Sequence, residues 1–351
     1  MTKHRTEEEQ VNKRVLAIVA GAIVLATTSA GLFVGCQTTG GVSEILLWTV
    51  PDGVAQVATS RIGLHIAGVV QKGDKWLVVV DGRPGPEYDG ILEGGLVFSP
   101  DGKRTAYGAQ KGDKWFAVVD GKPGPGYDGL GKGGLVFSPD GKGVAYLAWR
   151  GDKQLLVVDG QPGPEYAGIG DLAFSLDGKR VAFVAGSGDK RLVVIDGKPG
   201  PEYDAIGKGG PVFSRDGRRV AYAAQKGAKW CVVVDGQPGP EYDGVVEGGP
   251  VFSPDGGRVA YGAAMGGKQF VVVDGLPGSE YDGIAEGGLV FSPDGKRIAY
   301  GAKNGNKWFV VIDGKPGPEY DDIVQREPTF QPDGSFAYLA ERSGRLYRVK
   351  Q

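Results

Sequence analysis

The 351-residue chain carries 63 Gly and 22 Pro in a 41% apolar composition, enough for one large core interrupted by many turns. A net charge of −2 supplies no basic field for nucleic acid. Two His and two Cys remove most metal and nucleophile chemistry before any motif is sought.

Residues 1–14 are charged, mixed in sign, and end in Lys13 and Arg14. Val15 to Val34 is apolar except at Thr27, Thr28 and Ser29, and Gly35-Cys36 follows. Three readings stand side by side. Phe33-Val34-Gly35-Cys36 resembles a bacterial lipobox, with Cys36 lipidated as the mature N-terminus; the apolar stretch is long enough for an uncleaved spanning helix; or cleavage follows Thr28-Ser29-Ala30. All three export the remainder, because no Lys or Arg recurs until Arg61. Residues 1–36 are thus a signal or anchor, 37–43 a linker, and 44–351 a repeated domain on the exported side of the cytoplasmic membrane, in the cell envelope. EILLWTV, from Glu44 to Val50, reads as a strand with no partner nearby in the chain.

From there the chain repeats. A Phe opens an FSPDG-like segment at Phe98, Phe137, Phe174, Phe213, Phe252, Phe291 and Phe330, in steps of 39, 37, 39, 39, 39 and 39. The Asp closing VVDG, from Asp81 to Asp313, keeps the same steps. A period in this range means a solenoid, a propeller or an array. Each unit reads as four short strands. LVFS ends at a Pro-Asp-Gly turn, RTAYGA at Gly-Asp-Lys, and WFAVVD at Asp-Gly; the Pro-rich PGPGYDGL suits an edge strand that need not donate every N–H. The third strand is apolar at nearly every position, so both of its faces must be covered, as in a sheet stacked between two others. FSPDGKRIAY at Phe291 to Tyr300 and FSPDGKR at Phe98 to Arg104 resemble the TolB-type, WD-like β-propeller repeat of bacterial envelope proteins. The resemblance covers about Gln56 to Gln351 and implies an all-β propeller of four-stranded antiparallel blades. The PGPEYDG insert departs from that pattern.

A worn first unit precedes Phe98, since Ala67 and Trp76 lie 39 before Ala106 and Trp115. With six full units and the closing unit at Phe330, the expectation is eight blades, or seven if the worn unit forms no sheet of its own. The last unit ends without its outer strand, which Leu46 to Val50 could supply.

Residues present in every copy serve the frame. The Asp of SPDG and of VVDG are turn residues; Arg150-Gly151-Asp152 is a surface turn; Cys231 is a small core residue; Trp76, Trp115, Trp230 and Trp308 fill gaps between sheets. His65 is read as a lone His with no partner for base catalysis or metal binding, and no G-x-S-x-G is present. Informative variation stands five residues before each marker Phe: Glu93, Lys132, Ile169, Lys208, Glu247, Glu286 and Gln325. These read as a ring of mixed charge on the connection entering each innermost strand, at the mouth of a central channel, with Gly-Gly pairs that let backbone approach a ligand. Glu93, Lys132, Lys208, Glu247 and Glu286 are the ligand-binding candidates. No catalytic residue, metal or cofactor is expected. The preferred function is a membrane-held, non-enzymatic scaffold for a protein or glycan partner. The alternatives are a glycan- or cation-handling enzyme using Glu247 and Glu286, and a structural spacer.

Overall fold

The computed structural model describes residues 36–39, 42–45, 53–61, 65–324, 329–331 and 333–351. These residues are all-β, with no helix among them. The chain divides at Leu47/Trp48. In the first unit, Cys36–Thr39 pairs antiparallel with Val42–Ile45 in a hairpin that sets Cys36 opposite Ile45. The apolar stretch of 15–34 and Leu46 to Val50 lie outside the described residues, so the anchor and the strand expected to complete the last sheet do too. No helix among the described residues is long and apolar enough to cross a membrane.

The described residues of the second unit form a succession of eight antiparallel sheets in chain order. The first comprises Val54–Thr59, Ile66–Lys72, Lys75–Val80 and Arg83–Tyr88, each strand paired with the next. Its third strand is apolar on both faces, with Val78 and Val79 buried. The turn from the third to the fourth strand has two left-handed residues, for example Asp235 (φ 53°) and Gly236 (φ 80°). That is a type I′ hairpin turn, whose twist matches the flanking strands and which Asp-Gly adopts at low cost. Each fourth strand is the Pro-Gly segment, at the edge of its sheet, where a strand need not donate every N–H.

Every neighbouring pair of sheets encloses its own apolar cluster. Between the fifth and sixth, Val232 and Tyr242 meet Tyr261, Ala263, Phe270 and Val272. Between the third and fourth, Ala145 and Leu156 meet Phe183, Ala185, Leu192 and Val194. Aromatic pairs cross these layers edge to face, as at Tyr242 and Tyr261 (centroids 6.1 Å apart, 67°), in the geometry the ring quadrupole favours. Four-stranded meanders packed face to face in this way are β-propeller blades.

Two boundaries differ from the sequence reading. LVFS is not a full strand: the innermost position of the second sheet is split into Gly90–Ile91 and Val97–Phe98, both paired with Thr105–Lys111. The Gly-Ile after each Tyr-Asp thus opens the next sheet rather than closing its own. Between the two halves, residues 92–96 face only Tyr107 and Gly108, a bulge with three extra residues. In the fourth sheet, residues 171–172 face Phe183 alone, leaving one extra residue. The two residues missing from the 37-residue step are therefore taken out of this bulge, and the stacked strands keep their register. The eighth sheet holds Asp322–Ile323, Thr329–Phe330, Phe336–Arg342 and Arg345–Lys350. No outer strand pairs with Arg345–Lys350 among the described residues.

Candidate functional site

Repeated polar residues account for one another before any ligand is invoked. In each FSPDG turn the Ser is buried; the Ser99 hydroxyl donates to Asp101 Oδ1 at 2.6 Å, and the Arg104 N–H donates to Ser99 Oγ at 3.0 Å. The Ser99 hydroxyl and then the Lys103 N–H hold the Asp101 carboxyl below its ordinary range. The VVDG aspartates span strands: Asp120 Oδ1 accepts the Thr105 N–H at 3.0 Å and Oδ2 accepts Arg104 Nε at 2.9 Å.

That arginine reaches the next sheet. Arg104 donates to the Gly141 carbonyl at 3.2 Å, and its guanidinium lies 5.4 Å from the centroid of Phe137. Arg180, Arg219, Arg258 and Arg297 repeat the arrangement over Phe213, Phe252, Phe291 and Phe330. The marker Phe is thus the platform for a cation from the preceding sheet. In the first sheet His65 takes the arginine's place, with Nδ1 2.7 Å from Asp81 Oδ2. The sequence reading of His65 as a lone side chain is corrected: Asp81, 16 positions away, is its partner, reached across the hairpin.

A second clasp uses the aspartate of Tyr-Asp-Gly. Asp243 Oδ1 accepts Lys229 Nζ of its own sheet at 2.6 Å, and Oδ2 accepts the Gly266 N–H in the next sheet's turn at 2.8 Å. The Lys229 ammonium first and the Gly266 N–H second hold this carboxyl below the ordinary range. Asp89, Asp128, Asp204, Asp282 and Asp321 do the same, with Ser343 standing for the glycine at the last junction. Arg150-Gly151-Asp152 is one of these turns: the Gly151 N–H is bound by Asp128 at 2.7 Å. Sequence reasoning missed both clasps. Their signal was available as fixed spacings, 14 residues from Lys to Asp and 16 from Arg to Asp.

The candidate residues occupy the bulges of the innermost strands, partway along the strand rather than on the connection that enters it. The fourth strand of the first sheet runs into the second through Asp89 alone, and that of the third into the fourth through Ala167 alone, leaving no separate connection to carry them. Glu93, Lys208, Glu247 and Glu286 are all exposed there. Lys132 lies in the corresponding irregular stretch between Leu130 and Leu135, and Gln325 lies outside the described residues. Lys208 Nζ meets Glu247 Oε1 at 2.7 Å across two sheets. Glu247 first, with Glu286 contributing, raises the Lys208 ammonium above its ordinary range. The bulges touch directly, since the Gly287 N–H donates to the Glu247 carbonyl at 3.2 Å. A Cβ on Gly248 would stand 2.7 Å from the Gly287 nitrogen. Gly248, one of the glycines expected to admit a ligand's backbone, is used by the neighbouring bulge instead. Cys231 is buried in the cluster between the fourth and fifth sheets, and burial pushes its thiol up. Trp76 and Trp115 pack half-buried against the clusters between sheets.

No family model and no curated protein matches the chain. Among solved structures it is similar to one titled as a eukaryotic initiation factor, with 14% identity, 84% of this chain and 83% of that one covered, and a TM-score of 0.44. It is also similar to the β-propeller domain of the Trilobed protease from Pyrococcus furiosus, with 15% identity, 85% and 94% covered, and a TM-score of 0.32. TolB from Acinetobacter baumannii is matched at 13% identity, 76% and 79% coverage, and a TM-score of 0.29.

Proposed function

We propose that the chain is a non-enzymatic scaffold on the exported side of the cell envelope, its sheets closing as an eight-bladed propeller that presents the inner row of charges to a protein or glycan partner. One observation carries the reading: the repeated polar residues are spent on turns and clasps, so the varied side chains of the inner bulges are a polar surface left for recognition. The apolar stretch of 15–34 behind Lys13 and Arg14 supports export and anchoring, with Cys36 the lipidation candidate. The enzyme alternative loses ground at Glu247, which Lys208 engages at 2.7 Å, leaving Glu286 without a free second carboxylate beside it. The test is capture from envelope extracts by the full chain and by a variant carrying Glu93→Lys, Lys208→Glu, Glu247→Lys and Glu286→Lys. A partner retained by the first and lost by the second supports the reading; identical recovery by both overturns it.

A further inference from the structure

One junction lacks both clasps. Between the third and fourth sheets the arginine position is Gly143 and the Tyr-Asp-Gly aspartate is Ala167. The groups that would hold that aspartate are nevertheless present. Lys153 stands 14 residues before Ala167, as Lys229 stands before Asp243, and it forms no ion pair among the described residues. Gly188, in the fourth sheet's turn (φ 58°), occupies the place of Gly266 (φ 59°), and its N–H has no acceptor among the described residues. At six other junctions this same pair, an ammonium and a turn N–H, closes on one carboxylate.

Ala167 and Gly188 line a cavity of about 380 Å³ that also takes in Arg191 and Asp171. Arg191 replaces the Trp, Gln or Leu found at this position in the other sheets, and among the described residues its guanidinium donates only to the Lys190 carbonyl, at 3.0 Å. Asp171 takes a left-handed φ of 45° in the shortened bulge, a conformation that is strained outside a hairpin turn. The cavity therefore gains a guanidinium, with the Asp171 carboxylate on the same lining, beside the Gly188 N–H, while Lys153 keeps the register position of the ammonium that meets the carboxylate at the other junctions.

We propose that this junction is a receptor for an aspartate side chain carried by a peptide partner, which would supply the carboxylate that Ala167 does not. The chemistry is read from the molecule itself: what the same donors hold elsewhere is an Asp flanked by Tyr and Gly. The choice of a peptide partner rests on the scaffold reading, but the pocket does not.

The test is a titration of the full chain with N-acetyl-Tyr-Asp-Gly-amide, following the amide resonance of Gly188. The expected result is a saturable shift, absent with the Tyr-Asn-Gly peptide. The peptide should bind at least about tenfold more weakly to Ala167→Asp, which fills the site from within, and to Lys153→Gln. Ala167→Asp restores the arrangement of the other junctions and so keeps the fold. Absence of a saturable shift, equal binding of the Asn peptide, or unchanged binding by Ala167→Asp overturns the proposal; so does acetate binding as tightly as the peptide, which would make this a general small-carboxylate site. None of these outcomes depends on the inner row of charges, so failure here is distinct from failure of the scaffold reading.

Discussion

The junction between the fifth and sixth sheets and that between the third and fourth are built on the same apolar plan but differ in everything polar. The first has Arg219 over Phe252 at 5.3 Å and Asp243 bridging Lys229 to Gly266. The second has Gly143 and Ala167, and keeps Phe183, Leu156 and Val194 buried all the same. Adhesion between sheets is therefore the work of the apolar layer, because exposed ion pairs contribute little in water while each buried branched or aromatic side chain contributes about 1.5–3 kcal/mol. The clasps add alignment at the rims, and one junction can lose them and free its donors.

The largest effects should be the same at both junctions. Tyr261→Ala and Phe183→Ala, each removing a ring that is 3% exposed, are expected to cost about 3–5 kcal/mol in urea unfolding; a cost under about 1 kcal/mol for Phe183→Ala would mean that the unclasped junction is not held by its core. The next effect separates them. Arg219→Ala should cost about 1–2 kcal/mol through the lost stacking and carbonyl bonds. Gly143→Arg should raise stability by about 0.5–1 kcal/mol, since Asp159 and Phe174 already stand where Asp235 and Phe252 do, and a Cβ there meets nothing nearer than Ser138 Oγ at 3.3 Å.

Acid should divide the junctions again. The Asp243 carboxyl is held below 3.8 in the folded chain, so its clasp is fully present above that value and is lost as pH falls through the lower folded value. Hydrogen exchange, corrected for the intrinsic rate, should show Gly266 protected at pH 6 and released on acidification, while Gly188 exchanges freely at both. Protection of Gly188 at neutral pH in the absence of any ligand would contradict its lack of an acceptor. The smallest effect belongs to the inner row: Lys208→Met should leave the urea midpoint unchanged, because both members of its ion pair are exposed, and should lower only partner recovery.

Much of this was legible in the one-dimensional pattern. The strands Lys229–Val234 and Lys268–Val273 follow from runs of β-branched and aromatic residues, and their turns from Asp-Gly, because these preferences act within a few residues. The split of the innermost strand was not, since a bulge is visible only once its partner strand is known: Leu92 to Gly95 reads like ordinary connection until Ile91 and Val97 are both seen on Thr105–Lys111. His65 looked solitary for the same reason, its aspartate lying across a hairpin. The candidate charges were found by their variation at a fixed place, but the pairing of Lys208 with Glu247 needed two sheets in contact.

The sequence by itself determined the period, the four-strand unit, its turns and the apolar third strand, because local backbone preference and the alternation of burial are written in neighbouring residues. Only the tertiary structure decided which polar residues clasp one sheet to the next, and that the gap at Ala167 leaves an ammonium and an amide without their carboxylate. Partners 14 residues apart meet once strands pair and partners 39 apart once sheets stack, and no local preference encodes either meeting.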